Sequence, residues 1–87
     1  MSVLVPRSDC SISLTFCSDG DGGMVFEAAA YREGIGGWGM GGVIPYLLTR
    51  SQQVAVRESL RNVKWEKLPN VLRRMQEGHL PIKIKRR

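Results

Sequence analysis

The sequence predicts an α+β fold: a small antiparallel sheet, made of a β-hairpin plus a C-terminal edge strand, packed against two helices in the order β-β-loop-α-α-β. Three observations carry this reading. Residues 10–17 alternate apolar and polar side chains, which is the two-residue period of a half-buried strand. The second half of the chain repeats its apolar residues every three to four positions, which is the helical period. A run of six glycines in nine residues, 34–42, separates the two halves.

In the first strand Cys10, Ile12, Leu14 and Phe16 alternate with Ser11, Ser13, Thr15 and Cys17. Residues 18–23, Ser-Asp-Gly-Asp-Gly-Gly, form a turn, because glycine supplies positive φ and aspartate bonds its own local backbone. Met24, Val25 and Phe26 begin the returning strand. Residues 27–30, Glu-Ala-Ala-Ala, have helical propensity, but the hairpin context and Tyr31 favour an extended continuation.

Glycine-dense residues 34–42 are expected as a flexible loop, since ordering them costs much backbone entropy. Trp38 and Met40 within it have two readings. They are an anchor that inserts into a protein partner's pocket, or Trp38 folds back as a lid over a thin core.

Thr49 and Gln52 have the spacing of a capping box and predict a helix over 50–62. Pro69 sits at the start of a second helix, where its missing N–H costs nothing. Leu68, Leu72 and Met75, with Val71 beside them, form its apolar stripe, and Gly78 ends it. Residues 80–85 alternate Ile82 and Ile84 with Lys83 and Lys85, predicting a strand whose charges protect a sheet edge.

Length and composition narrow the function. With 87 residues the chain makes one small domain, 1–87, with a basic tail at 83–87. Its 43% apolar and 24% charged residues do not fit a chain disordered throughout. Cys10 and Cys17 lie about 23 Å apart along one strand and on opposite faces, so they cannot bridge each other within it. Reduced thiols, and no apolar run suited to a signal sequence or membrane span, point to a cytoplasmic protein without a membrane partner. Two thiols and one histidine do not make a zinc site, and no other metal or cofactor is expected.

Charge is the strongest functional signal. Residues 1–48 hold two cations against five carboxylates, a net −3, whereas residues 49–87 hold eleven against three, a net +8. On the first predicted helix Arg50, Arg57, Arg61 and Lys64 fall within an arc of about 60° beside an apolar arc of Val56, Leu60 and Val63. Arg73, Arg74, Lys83, Lys85, Arg86 and Arg87 extend the basic surface. Cations spaced on a helix suit a row of phosphates, because each one neutralised releases counterions. An acidic protein surface satisfies the same charges.

Other motifs carry less. Gly34, Gly36 and Gly39 match the spacing of a dinucleotide fingerprint, yet Pro45 follows closely and no βαβ unit surrounds them. Asp19 and Asp21 have calcium-loop spacing at first but lack the later ligands. His79, beside Gly78 at a helix end, is placed to meet the terminal carbonyls and lacks an orienting acid for base catalysis. The expected function is therefore a small non-enzymatic binding or regulatory protein, engaging nucleic acid or a nucleic-acid-handling complex through its basic helical half. The alternative is an inhibitor or adaptor, of the sort phages direct at host proteins, that binds through Trp38 and Met40.

Overall fold

The computed structural model describes residues 4–83. Four antiparallel strands in sequential order, β1 (Leu4–Val5), β2 (Ser11–Ser18), β3 (Met24–Arg32) and β4 (Gly36–Ile44), form one sheet. Helices α1 (Arg50–Ser59) and α2 (Leu68–Gln76) follow, with a 3-10 turn at Trp65–Lys67 leading into α2. The class is α+β, but the order is four strands and then two helices.

The β2–β3 hairpin follows the alternation of its residues. Ile12 pairs with Ala30, Leu14 with Ala28 and Phe16 with Phe26, and Ile12, Leu14, Phe26, Ala28 and Ala30 are buried. Its turn is tied by Asp19, whose Oδ1 accepts from the N–H groups of Asp21 at 2.7 Å and Gly23 at 3.0 Å.

Three expectations are corrected. Residues 34–42 are not a loop: after a tight turn at 33–35 they form most of β4, which pairs with β3 over its whole length. The ordering entropy of the glycines is met by a full ladder on β3, and at Gly37, Gly41 and Gly42 close packing requires glycine: a Cβ would lie 2.7 Å from Ala30 O at Gly37 and 2.9 Å from Phe26 O at Gly41. A Cβ on Gly42 would lie 2.8 Å from Gln76 Cγ and 3.1 Å from Phe26 Cε1. Gly42 is thus where α2 rests on the strand.

The expected C-terminal edge strand is the second correction. Its described residues, 80–83, form no strand. Pro81 removes a ladder donor, and Leu80 and Ile82 instead pack half-buried against the core. Residues 84–87, with Lys85, Arg86 and Arg87, lie outside the described residues. The sheet edge expected there is instead β1, too short at two described residues to announce itself by periodicity.

The third correction is the length of α1. It starts as expected, with both bonds of the Thr49–Gln52 capping box formed at 2.8 and 3.1 Å, but it stops at Ser59 rather than Asn62. α2 closes with glycine at the αL position: Gly78 has φ +90°, its N–H reaches Met75 O at 3.0 Å, and the His79 N–H reaches Arg74 O at 2.9 Å. This is the Schellman arrangement, and it engages the backbone of His79 rather than its imidazole.

Both helices lie on one face of the sheet. Val56 and Leu60 at α1, and Leu68, Leu72 and Met75 of α2, join Val5, Ile12, Leu14, Phe26 and Ile44 in a single buried core. The other face is open. It carries Leu4, Ser13, Thr15, Val25, Glu27, Ala29, Tyr31, Gly39, Gly41 and Val43 and no lysine or arginine.

Candidate nucleic-acid interface

The basic residues of the second half separate into those that hold the fold and those that face solvent. Arg57 belongs to the first group. Its Nε donates to the Leu14 carbonyl at 3.0 Å, and its guanidinium stands 5.4 Å from the centre of the Phe16 ring. Burial lowers its pKa from the ordinary arginine value, as desolvation disfavours the charged form. The part-buried side chain staples α1 to β2.

Arg61 lies past the end of α1 and forms an exposed ion pair with Glu58 at 3.0 Å. Lys64 lies in the linker ahead of the 3-10 turn, outside the helix that a basic arc requires. The continuous stripe Arg50–Arg57–Arg61–Lys64 is therefore broken. It assumes one helix to residue 62, whereas α1 ends at Ser59 and residues 60–62 form a turn.

The solvent-facing cations of the helix layer are Arg50, Lys64, Lys67, Arg73 and Arg74, with Lys83 beyond it. Among the described residues the salt bridges are Arg7–Asp9 and Arg61–Glu58, so these six cations have no carboxylate partner there. Arg73 makes one neutral contact, its Nη1 donating to Asn70 Oδ1 at 3.2 Å. Arg73 and Arg74 also sit in the last turn of α2, where cations favourably meet the negative end of the helix dipole.

A cation that inspection of the second half misses is Arg7. Its side chain is almost fully covered, donates Nη1 to the Leu60 carbonyl at 2.9 Å, and holds Asp9 bidentately at 2.9 and 2.8 Å. The pair is read in sequence only as two nearby opposite charges. The Arg7 hydrogen bonds lower the Asp9 carboxyl to about 2, and the same contact raises Arg7. Burial raises the neighbouring Cys10 thiol, which disfavours the reactive thiolate.

Trp38 and Met40 are not displayed on a loop. Both project from β4 toward the helix layer and pack half-buried against the core. The Trp38 ring lies 6.0 Å from that of Trp65, tilted by 47°, a spacing at which aromatic pairs attract. Trp65 packs half-buried against the core in the 3-10 turn that leads into α2.

Among the described residues no group of three or more His, Cys, Asp or Glu side chains could hold a metal ion. No helix there is long and apolar enough to cross a membrane. No protein-family model matches the chain, and no curated protein or solved structure matches it either.

Proposed function

We propose that this is a small non-enzymatic binding protein that engages the phosphate backbone of a nucleic acid with its helix layer. One observation carries the reading: the exposed cations Arg50, Lys64, Lys67, Arg73 and Arg74 stand without carboxylate partners among the described residues, while the opposite, open sheet face has no cation. Charge segregated onto one face is the electrostatic footprint expected of a phosphate-binding surface. Arg57 and Arg7 belong to the scaffold beneath it.

The short α2 offers Arg73 and Arg74 as its only basic side chains, a poor set for reading base edges. Binding is therefore led by phosphate contacts and tolerates sequence. Fluorescence anisotropy with labelled duplex and single-stranded oligonucleotides tests this. The Arg50→Ala/Lys64→Ala/Arg73→Ala/Arg74→Ala variant should bind at least about tenfold more weakly at low salt. Equal binding by the variant would assign the contact to some other surface.

A further inference from the structure

We infer that β4 is a pairing edge, and that its partner is the β4 of a second copy of this chain, joined antiparallel about a two-fold axis through Met40. The starting point is the outer side of β4, which pairs with no strand among the described residues. β4 is the last strand of the sheet. Neighbouring residues of an antiparallel strand alternate in the side to which their N–H and C=O groups point. The Gly41 carbonyl accepts from Gln76 Nε2 at 2.6 Å, so it faces away from β3. Gly37, Gly39, Gly41 and Val43 then share that outward direction.

Soluble proteins protect such edges with proline, lysine, bulges or very short strands. β4 has none of these, and the point that α2 covers is the Gly41 carbonyl, bonded by Gln76. The strand runs for nine residues, GGWGMGGVI, without a charge or a proline. The edge at the other side of the sheet, β1, has two described residues. The β4 strands themselves bring no charged side chain to the seam, although the chain as a whole carries +5.

The order of side-chain sizes in β4 selects the partner. With Met40 on the axis, Trp38 stands opposite Gly42 of the second copy, Val43 opposite Gly37, and Ile44 opposite Gly36. Gly39 stands opposite Gly41. Trp38, Val43 and Ile44 thus each meet a glycine, and each such pair occurs twice, as an isologous contact requires. Met40 alone meets itself, and methionine is the side chain best able to adapt to that. The half-buried Trp38 and Met40 are then covered by the partner strand. About eight backbone hydrogen bonds form across the seam, with Gln76 giving up the Gly41 carbonyl to the partner's Gly39 N–H. The pairing stands whether or not the helix layer binds nucleic acid.

Sedimentation of the full chain across a dilution series, with two variants, tests the inference. A Cβ at Gly39 would meet only Ala28 O, at 3.6 Å, so Gly39→Lys is accommodated by the monomer. It places two lysines diagonally across the seam, about 7–8 Å apart. The wild-type chain should dimerise at micromolar concentration, and G39K at least about tenfold more weakly. Met40→Cys, in a Cys10→Ser/Cys17→Ser background, should form an intermolecular disulfide under mild oxidation, because directly opposed residues of a non-hydrogen-bonded pair lie within bridging distance. That cross-link decides the matter even where G39K fails to fold. A chain that stays monomeric at high concentration would overturn the inference, as would one that stays monomeric while capturing an extended peptide from another protein. So would a dimer that is indifferent to G39K and does not cross-link through position 40.

Discussion

Arg57 donates its Nε hydrogen to the carbonyl of Leu14 at 3.0 Å, 43 residues away in sequence, and so ties the first helix to the centre of the sheet. The most central cation of the basic arc is therefore part of the scaffold. Arg57→Ala removes the donor and the contact with Phe16, and leaves a part-buried carbonyl without it. The variant should lose about 1–3 kcal/mol of stability while its affinity for nucleic acid, measured on the folded fraction, changes less than twofold. Denaturant unfolding together with anisotropy separates the two. An unchanged unfolding midpoint with a large loss of affinity would reverse the assignment.

Gly42 and Gly39 look alike in sequence but should respond oppositely to alanine. At Gly42 the added methyl would stand 2.8 Å from Gln76 Cγ and 3.3 Å from Gln76 Cα, so α2 must shift, at a cost of about 1–3 kcal/mol. At Gly39 it makes ordinary contact with Ala28 O at 3.6 Å. Gly39→Ala should be neutral or stabilise by up to about 1 kcal/mol by narrowing the unfolded ensemble. Thermal unfolding of the two variants checks this. Equal effects would mean that α2 does not rest on Gly42.

The Arg7–Asp9 pair sets an acid limit. The Asp9 carboxyl is held at about 2 in the folded protein, against about 3.9 when unfolded. The folded state thus binds this proton less readily. Its contribution is fully present above about pH 4 and fades as pH falls toward 2. The difference in Tm between wild type and Asp9→Asn should be constant at neutral pH and shrink over that acidic window. A difference that persists unchanged at pH 2 would contradict the role given to Arg7.

Much of this fold is legible before any coordinates are considered, and the reasons for the rest are physical. Residues 11–18 and 24–26, the Asp19 turn, the Thr49 cap, Leu68, Leu72 and Met75 of α2, and the Gly78 stop all act through local chemistry that a linear reading detects. β4 is hidden because glycine supplies no periodic side chain and scores as a loop former. Its order comes from pairing with β3 and from α2 lying on Gly42. The end of α1 is hidden because continuing the helix and turning to bury Leu60 are locally similar. At the candidate interface the excess of cations is visible in sequence. Which cations are spent on the fold is not, since Arg57 finds Leu14 and Arg7 finds Leu60 only through tertiary contact.

The N-terminal cap of α1 offers a simpler check on the helix layer. Thr49→Ala removes the hydroxyl that accepts from the Gln52 N–H and should lower stability by about 1 kcal/mol. Gln52→Ala alone should cost less, because the Thr49 acceptor remains. Chemical denaturation reads both, and a larger loss for Gln52→Ala would show that the box is not what holds this end.

The central claim, a phosphate-binding helix layer, is tested most directly by the salt dependence of nucleic-acid affinity. Five to six solvent-facing cations contacting phosphates give a slope of log K against log salt of about −4.5 to −5.4 on duplex DNA. Affinity should then fall by about three orders of magnitude between about 50 and 200 mM salt. Binding that is absent at the lowest salt, or whose strength does not change across the series, would contradict the account.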